Sequence, residues 1–287
     1  MSALEKKIDF AVLFTVTNAN PNGDPLTGNR PREDFEGFGE VSDVCLKRKI
    51  RNHLQDMGER IFVQSADRAD DGCDSLKSRA DAESELKKAQ KAKDNVAYAA
   101  HACKTWYDVR AFGQVFAFKG DDTKGLSVGV RGAVSLQSAF SVDPVDTESI
   151  QITKSVNNMP SEKKDSATMG MKHRVPFGLY VSKGSVNCEL ARKNGFSAED
   201  AEKLHHAIKS MFDGDMSAAR PEGSMEVRRV IWWTHSAKGG SASTAQVHRS
   251  LRIVKKEGVD VPRRYEDYDV FVDNVPCVSL DDWSSQT

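Results

Sequence analysis

Residues 9 to 17, "DFAVLFTVT", are apolar almost throughout and rich in β-branched and aromatic side chains, which predicts a largely buried strand. The run ends in "NANPNGDPLTGNRPRE", where Asn, Pro, Gly and Asp predict a long loop, and long ordered loops are often functional. Next, Val41, Val44, Cys45, Ile50, Leu54 and Met57 recur at helical spacing, with Ser42 as the N-cap. Lys47, Arg51 and Gln55 follow one another at i, i+4 with Arg48 beside them, so they share the opposite face. From Ile61 to Tyr107 both charge signs mix densely, which predicts a loop and one or two exposed helices packing weakly on the rest.

Clean alternation returns at 126–142. Val128, Val130, Val134, Leu136, Phe140 and Val142 are placed on one face of a strand, with Gly129, Arg131, Ser135 and Gln137 on the other. It returns again through Val175, Phe177, Leu179 and Val181. "FSAEDAEKLHHAIKSMF" reads as a helix capped by Ser197 with Asp200 three residues on. "SMEVRRVIWWTH" reads as a strand, and the segment 268–280 as an edge strand. Without the insertions the order is strand, helix, strand, strand, helix, strand. This α+β series is the ferredoxin-like order, the topology of RNA-recognition domains. Many metabolic proteins share it, so order alone does not give function.

The insertion at 143–174 leaves one strand and returns to another, as a hairpin or flap too thin to bury a core of its own. It carries Met159, Met169 and Met171 among Lys154, Lys163, Lys164, Lys172, His173 and Arg174. Flexible, polarizable methionines suit contact with stacked bases, and the cations suit phosphates. A mobile surface loop is the competing reading.

Charge narrows the picture. The formal net charge of −1 argues against a protein that coats nucleic acid by overall positive charge, but leaves room for one basic surface. The densest basic patch is Lys47, Arg48, Lys49 and Arg51; a merely solvated helix face is the alternative. Arg110 and Gln114 precede the polar strand face that holds Arg131 and Gln137, where glycines at 129 and 132 would let a ligand approach the sheet. Five scattered cysteines without a C-x-x-C pair suit free thiols in a reducing compartment. The longest apolar run, "FAVLF", is far too short for a bilayer and no secretory leader is evident, so the expected location is the cytoplasm.

Catalytic patterns are weak. His205 and His206 are adjacent on a helix and point about 100° apart, so they do not chelate one metal. Asp24 and Asp34 fit turn chemistry better than a metal site, and "GGSAS" lacks what a phosphate-cradling loop requires. The expectation is a protein without catalytic residues, metal or cofactor.

Together "FTVTNANPNGDP", "VSDVCLKRKIRNHL", "YDVRAFGQVFA", "GVRGAVSLQSAFSVDPV" and "VPFGLYV" resemble the crRNA-binding backbone subunits (RAMP superfamily) of type I-C CRISPR Cascade surveillance complexes. The resemblance implies a hand: an RRM-like palm (1–60, 126–142 and 175–287), a helical fingers insertion (61–125) and a β-hairpin thumb (143–174). It implies a head-to-tail helical filament of copies along one guide RNA, which pairs with target DNA in short segments. The other partners are the subunit capping the guide 5′ end, the large subunit and the small subunit. Ser42, Lys47, Arg48 and Arg51 would grip guide phosphates, and Asn18, Asn20 and Asn22 would meet the guide from the first loop. Arg131 and Gln137 would run beside the RNA, and Met159, Met169, Met171, Lys172 and His173 would supply thumb contacts. Backbone subunits of type III complexes cut RNA with a loop aspartate, so the alternative is a metal-dependent endoribonuclease using Asp24.

Overall fold

The computed structural model describes residues 3–118, 127–153 and 169–285. Strand β1 (Ile8–Ala19) leads through β2 (Gly23–Asp24), β3 (Arg30–Glu33) and β4 (Phe38–Val41) into helix α1 (Asp43–Asp56). Helices α2 (Leu76–Ala82), α3 (Ser84–Lys91), α4 (Asn95–Thr105) and α5 (Tyr107–Phe112) follow. Then come β5 (Gly113–Phe116), β6 (Val128–Arg131), β7 (Val134–Leu136), β8 (Ala139–Pro144), β9 (Glu148–Thr153) and β10 (Met169–Val186). The remaining elements are α6 (Cys188–Asn194), α7 (Ala198–Lys209), β11 (Met225–His235), α8 (Thr244–Arg249), β12 (Leu251–Lys255), β13 (Tyr268–Val272) and β14 (Val278–Ser284).

The class is α+β. One large antiparallel sheet runs β14-β11-β1-β10-β8-β4-β3-β2, with β7 and β9 also paired to β10. Strand β1 lies inside it and is covered on both faces, which is why its sequence is continuously apolar rather than alternating. Phe10, Val12, Phe14 and Val16 enter the core shared with α1 and α7, through Leu46, Ile50, Leu204 and Ile208. Ala11 and Leu13 point the other way, into a core with Ile231, Trp233, Val247, Leu251 and Tyr268. Each such fully buried large side chain contributes about 1.5–3 kcal/mol.

Residues 126–142 are three strands, not one. Among the described residues strand β6 pairs only with β5, in a small sheet of its own. The crossing into β7 needs Gly132, whose added Cβ would stand 2.3 Å from the Phe112 carbonyl carbon and 2.4 Å from the Gly113 nitrogen. This glycine admits the chain's own backbone, not a ligand. Between β7 and β8 the two residues Gln137 and Ser138 shift the parity: Val134 and Leu136 are buried, then Ala139 and Ser141, while Phe140 is turned outward, 42% exposed.

Among the described residues the insertion holds four α-helices and a core of Phe62, Tyr98, Trp106 and Phe116, which Val128 of β6 joins. It is tied firmly, not weakly, to the main sheet unit by two buried carboxylates. Asp108 accepts from Phe62 N at 2.7 Å, Val63 N at 3.1 Å and Arg51 Nε at 2.9 Å. Asp200 receives Arg110 at 2.7 and 3.1 Å, and its carbonyl accepts the Tyr107 hydroxyl at 2.6 Å. The edge strand is β14, paired with β11; residues 268–272 pair with β12 instead. No described helix is long and apolar enough to cross a membrane.

Candidate nucleic-acid interface

Helix α1 begins as its sequence requires. Ser42 is extended (φ −62°, ψ 151°) and its Oγ accepts from Cys45 N at 3.3 Å. The same serine donates its amide and its hydroxyl to Asn22 Oδ1, at 2.9 and 2.8 Å. Asn22 in turn accepts Arg32 N through its carbonyl at 3.0 Å, so the Asn-rich loop is clamped against the helix start. Asp43 N donates to Ser138 Oγ at 3.3 Å, bringing the β7–β8 corner and its exposed Gln137 to the same end of the helix. Gln137 is held there by backbone bonds, N to Lys183 O at 2.9 Å and O from Ser182 Oγ at 2.7 Å.

The loop also reaches the hairpin. Asn20, buried, donates Nδ2 to Asn29 O at 2.7 Å, and Arg30 donates to Ser149 Oγ at 2.6 Å. Ser149 Oγ lies 2.9 Å from His173 Nδ1. Met169 and Met171 stand in a regular ladder, opposite Thr153 and Gln151, and are 62% and 55% exposed. They are therefore strand residues, although their sequence has no strand period. Lys172 faces Ile150 across the ladder. Lys154 and Met159 lie outside the described residues.

The basic helix face is less free than its sequence implies. Lys49 is buried and paired with Asp215. Lys47 pairs with Asp43 at 2.8 Å and lies 6.0 Å over the Phe112 ring. Arg51 is committed to Asp108 and stacks over Phe112 at 5.1 Å. Arg48 has no carboxylate within ion-pair distance among the described residues, only Asn52 Oδ1 at 3.4 Å. Burial, then repulsion by Arg51, holds its guanidinium below the usual arginine range. Asp108 and Asp67 offset this only in part, and a partly desolvated cation is stabilised by an arriving anion.

Three expected residues stand elsewhere. Arg110 is spent on Asp200, and burial and that ion pair set its surroundings. Arg131 lies on β6 and not on the main sheet. Asn18 takes a left-handed conformation (φ 52°) and lines a cleft carrying Asp143, Asp146 and Glu148 along with Arg263, a poor place for phosphate. Beyond Gln137, on the α8–β12 side of the sheet, a pocket is lined by two residues the sequence did not single out: Phe140, and Lys183, whose ammonium donates to His248 O at 3.0 Å and whose pKa burial lowers.

Asp24 accepts from Leu26 N at 3.1 Å and sits 3.5 Å from Arg32; Asp34 Oδ1 accepts from Glu36 N and Phe38 N, both at 2.9 Å. Both carboxylates organise turns. Among the described residues no group of three His, Cys, Asp or Glu side chains converges as a metal site would need. His205 is stacked on Trp232 at 4.4 Å, and His206 faces His53 at 6.0 Å.

A "CRISPR-associated protein Cas7" of Haloferax volcanii is 26% identical over 291 residues, covering 93% of this chain and 84% of that protein. A chain of a solved "CRISPR RNA-guided surveillance complex, pre-nicking" shares the fold at a TM-score of 0.51 and 19% identity, covering 79% of this chain and 75% of its own. A chain of a further "CRISPR RNA-guided surveillance complex" aligns at a TM-score of 0.45 and 18% identity, covering 79% and 68%. The model of the family "CRISPR-associated protein Cas7" matches residues 6–273, nearly the whole sequence, and this chain belongs to that family.

Proposed function

We propose that this chain is a non-catalytic RNA-binding subunit that polymerises along a CRISPR guide RNA as the backbone of a type I-C surveillance complex. Family membership supports the setting, and the curated relative and the similar complexes carry CRISPR names. The spatial order β11-β1-β10-β8, with α1 and α7 on one face, supports an RRM-like palm. The β9–β10 ladder, exposed along β9, supports a thumb.

The observation that carries the reading is Arg48. It is a cation without a carboxylate within ion-pair distance among the described residues, six positions beyond Ser42, whose cap holds Asn22, on a helix whose first residue, Asp43, is tied to the β7–β8 corner through Ser138. A guide phosphate supplies the missing anion. Lys47 contributes by exchanging Asp43 for phosphate, and Gln137 offers an amide beside it. Phe140, 42% exposed on the other face beyond Gln137, offers a stacking surface. Met169 and Met171 wedge between bases, so the guide pairs with target DNA in short runs. Further partners are copies of the chain and the complex's 5′-cap, large and small subunits. Among the described residues Asp24 is held by its turn and by Arg32, which gives a cleavage reading no support.

The test is titration of unrelated single-stranded RNAs at several salt concentrations. Tight binding that ignores sequence and weakens steeply with salt is expected. Binding that is absent or indifferent to salt overturns the reading.

A further inference from the structure

Phe35 is fully exposed, at 110% of its reference accessibility. It sits at the tip of the β3–β4 turn, and that turn is rigid. Asp34 N donates to Phe38 O at 2.9 Å, Asp34 Oδ1 takes two further amides, and Gly37 O accepts Val145 N at 2.8 Å. Gly37 has φ 83°, which closes the turn without strain. A large apolar side chain held this way loses little freedom on docking. It is flanked by the exposed acids Glu33 and Glu36.

A groove of about 410 Å³ between α4, β6 and α6 has the opposite character. Its walls include Val96, Ala100 and Leu190, with Val96 81% exposed. Its rim carries Arg131 and Lys193, neither ion-paired among the described residues. Sites that seat small apolar groups begin at roughly this size.

The turn lies beside the middle of β10, and the groove lies beyond its C-terminal end. The turn neighbours Tyr180, since Gly39 N donates to Ser141 Oγ and Ser141 pairs with Tyr180. The groove lies beyond Val186, where α6 begins, and Tyr180 to Val186 spans about 20 Å. One copy therefore does not fill its own groove.

We infer that Phe35 of one copy seats in the α4–β6–α6 groove of the next, with Glu33 and Glu36 facing Lys193 and Arg131. The inference rests on the guide-bound polymer proposed above and names its protein–protein contact. The contact is heterologous, so it propagates instead of closing a pair, and its opposite charges set polarity. It also gives Arg131, stranded from the RNA corner, a partner.

The experiment compares full-length wild type with Phe35→Ala, Glu36→Lys, Lys193→Glu and the double variant Glu36→Lys/Lys193→Glu. Each binds a short oligonucleotide that holds one subunit and a long guide that holds several. Every single variant is expected to keep its melting temperature and its short-oligonucleotide affinity. On the long guide each is expected to assemble roughly tenfold more weakly, and the double variant to recover most of that loss. Wild-type assembly by Phe35→Ala, or no recovery in the double variant, overturns the contact. A photo-crosslinker replacing Phe35 that captures anything except α4, β6 or α6 of a second copy also overturns it. If wild type binds the short oligonucleotide yet never assembles on the long one, polymerisation itself fails, and this contact with it.

Discussion

Ser42 donates twice to one atom, Asn22 Oδ1, through its amide at 2.9 Å and its hydroxyl at 2.8 Å. The two stand twenty positions apart across loop and short strands, and this clamp fixes where the loop stands relative to the start of α1. The position of the Asn-rich loop is thus a property of the helix cap. Lys47 and Arg48 rise from the turn that follows it.

Replacing Asn22 with Ala removes the acceptor and leaves the Ser42 amide without its partner. The expected cost is about 1–2 kcal/mol of stability, with a comparable loss of RNA affinity. Asn22→Asp restores the acceptor and the stability but places a negative charge near the phosphate path. Thermal unfolding and RNA titration read together are expected to separate the two variants: both bind weakly, and only Asn22→Ala melts early.

Arg48 and Arg51 stand on one helix and do different work. Arg48→Ala is expected to change stability by no more than about 0.5 kcal/mol. It is expected to lower the log–log salt slope of RNA binding by about 0.7, one single-strand phosphate contact. Arg51→Ala strands Asp108, which is 1% exposed, and is expected to cost about 3 kcal/mol or more. Chemical denaturation and salt titration of both variants check the division.

Burial holds His205 at a pKa of about 4, with Lys209 adding repulsion and Asp281, 3.9 Å from Nδ1, opposing both. The folded value lies below the ordinary value of 6.5, so the unfolded chain takes up a proton the folded chain refuses. That stability is present above about pH 6.5 and is lost as pH falls towards 4. His205→Phe keeps the stack on Trp232 and dispenses with Nε2, which is buried without a hydrogen-bond partner among the described residues. It is expected to flatten the stability–pH curve between pH 6.5 and 4 by roughly 2 kcal/mol, measured by denaturant unfolding.

Met169 and Met171 are more than half exposed and bury little in the free protein. Changing both to Ser is expected to leave the melting temperature in place while weakening guide binding by about 1–2 kcal/mol. Fluorescence of 2-aminopurine placed along the guide is expected to lose its periodic unstacking signal. A melting temperature that falls instead assigns the methionines to the fold.

The elements whose signals are local were legible in the sequence: the apolar run of β1, the Ser42 cap, the Ser197–Asp200 capping box and strand β11. What was hidden depends on distant partners. Arg51 looked free because its carboxylate is 57 positions away, Arg110 because Asp200 is 90 away, and Lys49 because Asp215 is 166 away. The strand break at Gln137–Ser138 shifted parity, so Phe140, read as core, turned outward. Met169 and Met171 carried no strand signal because their ladder comes from pairing with β9, and pairing is not periodicity.

The proposal that this chain sheathes a guide meets its hardest test when the protein is made together with one long CRISPR RNA and run on a sizing column with light scattering and dual-wavelength absorbance. The predicted result is a particle of several subunits per RNA, rich in absorbance at 260 nm, whose RNA resists nuclease at a regular interval. A nucleotide-free monomer that leaves the RNA fully digestible contradicts it.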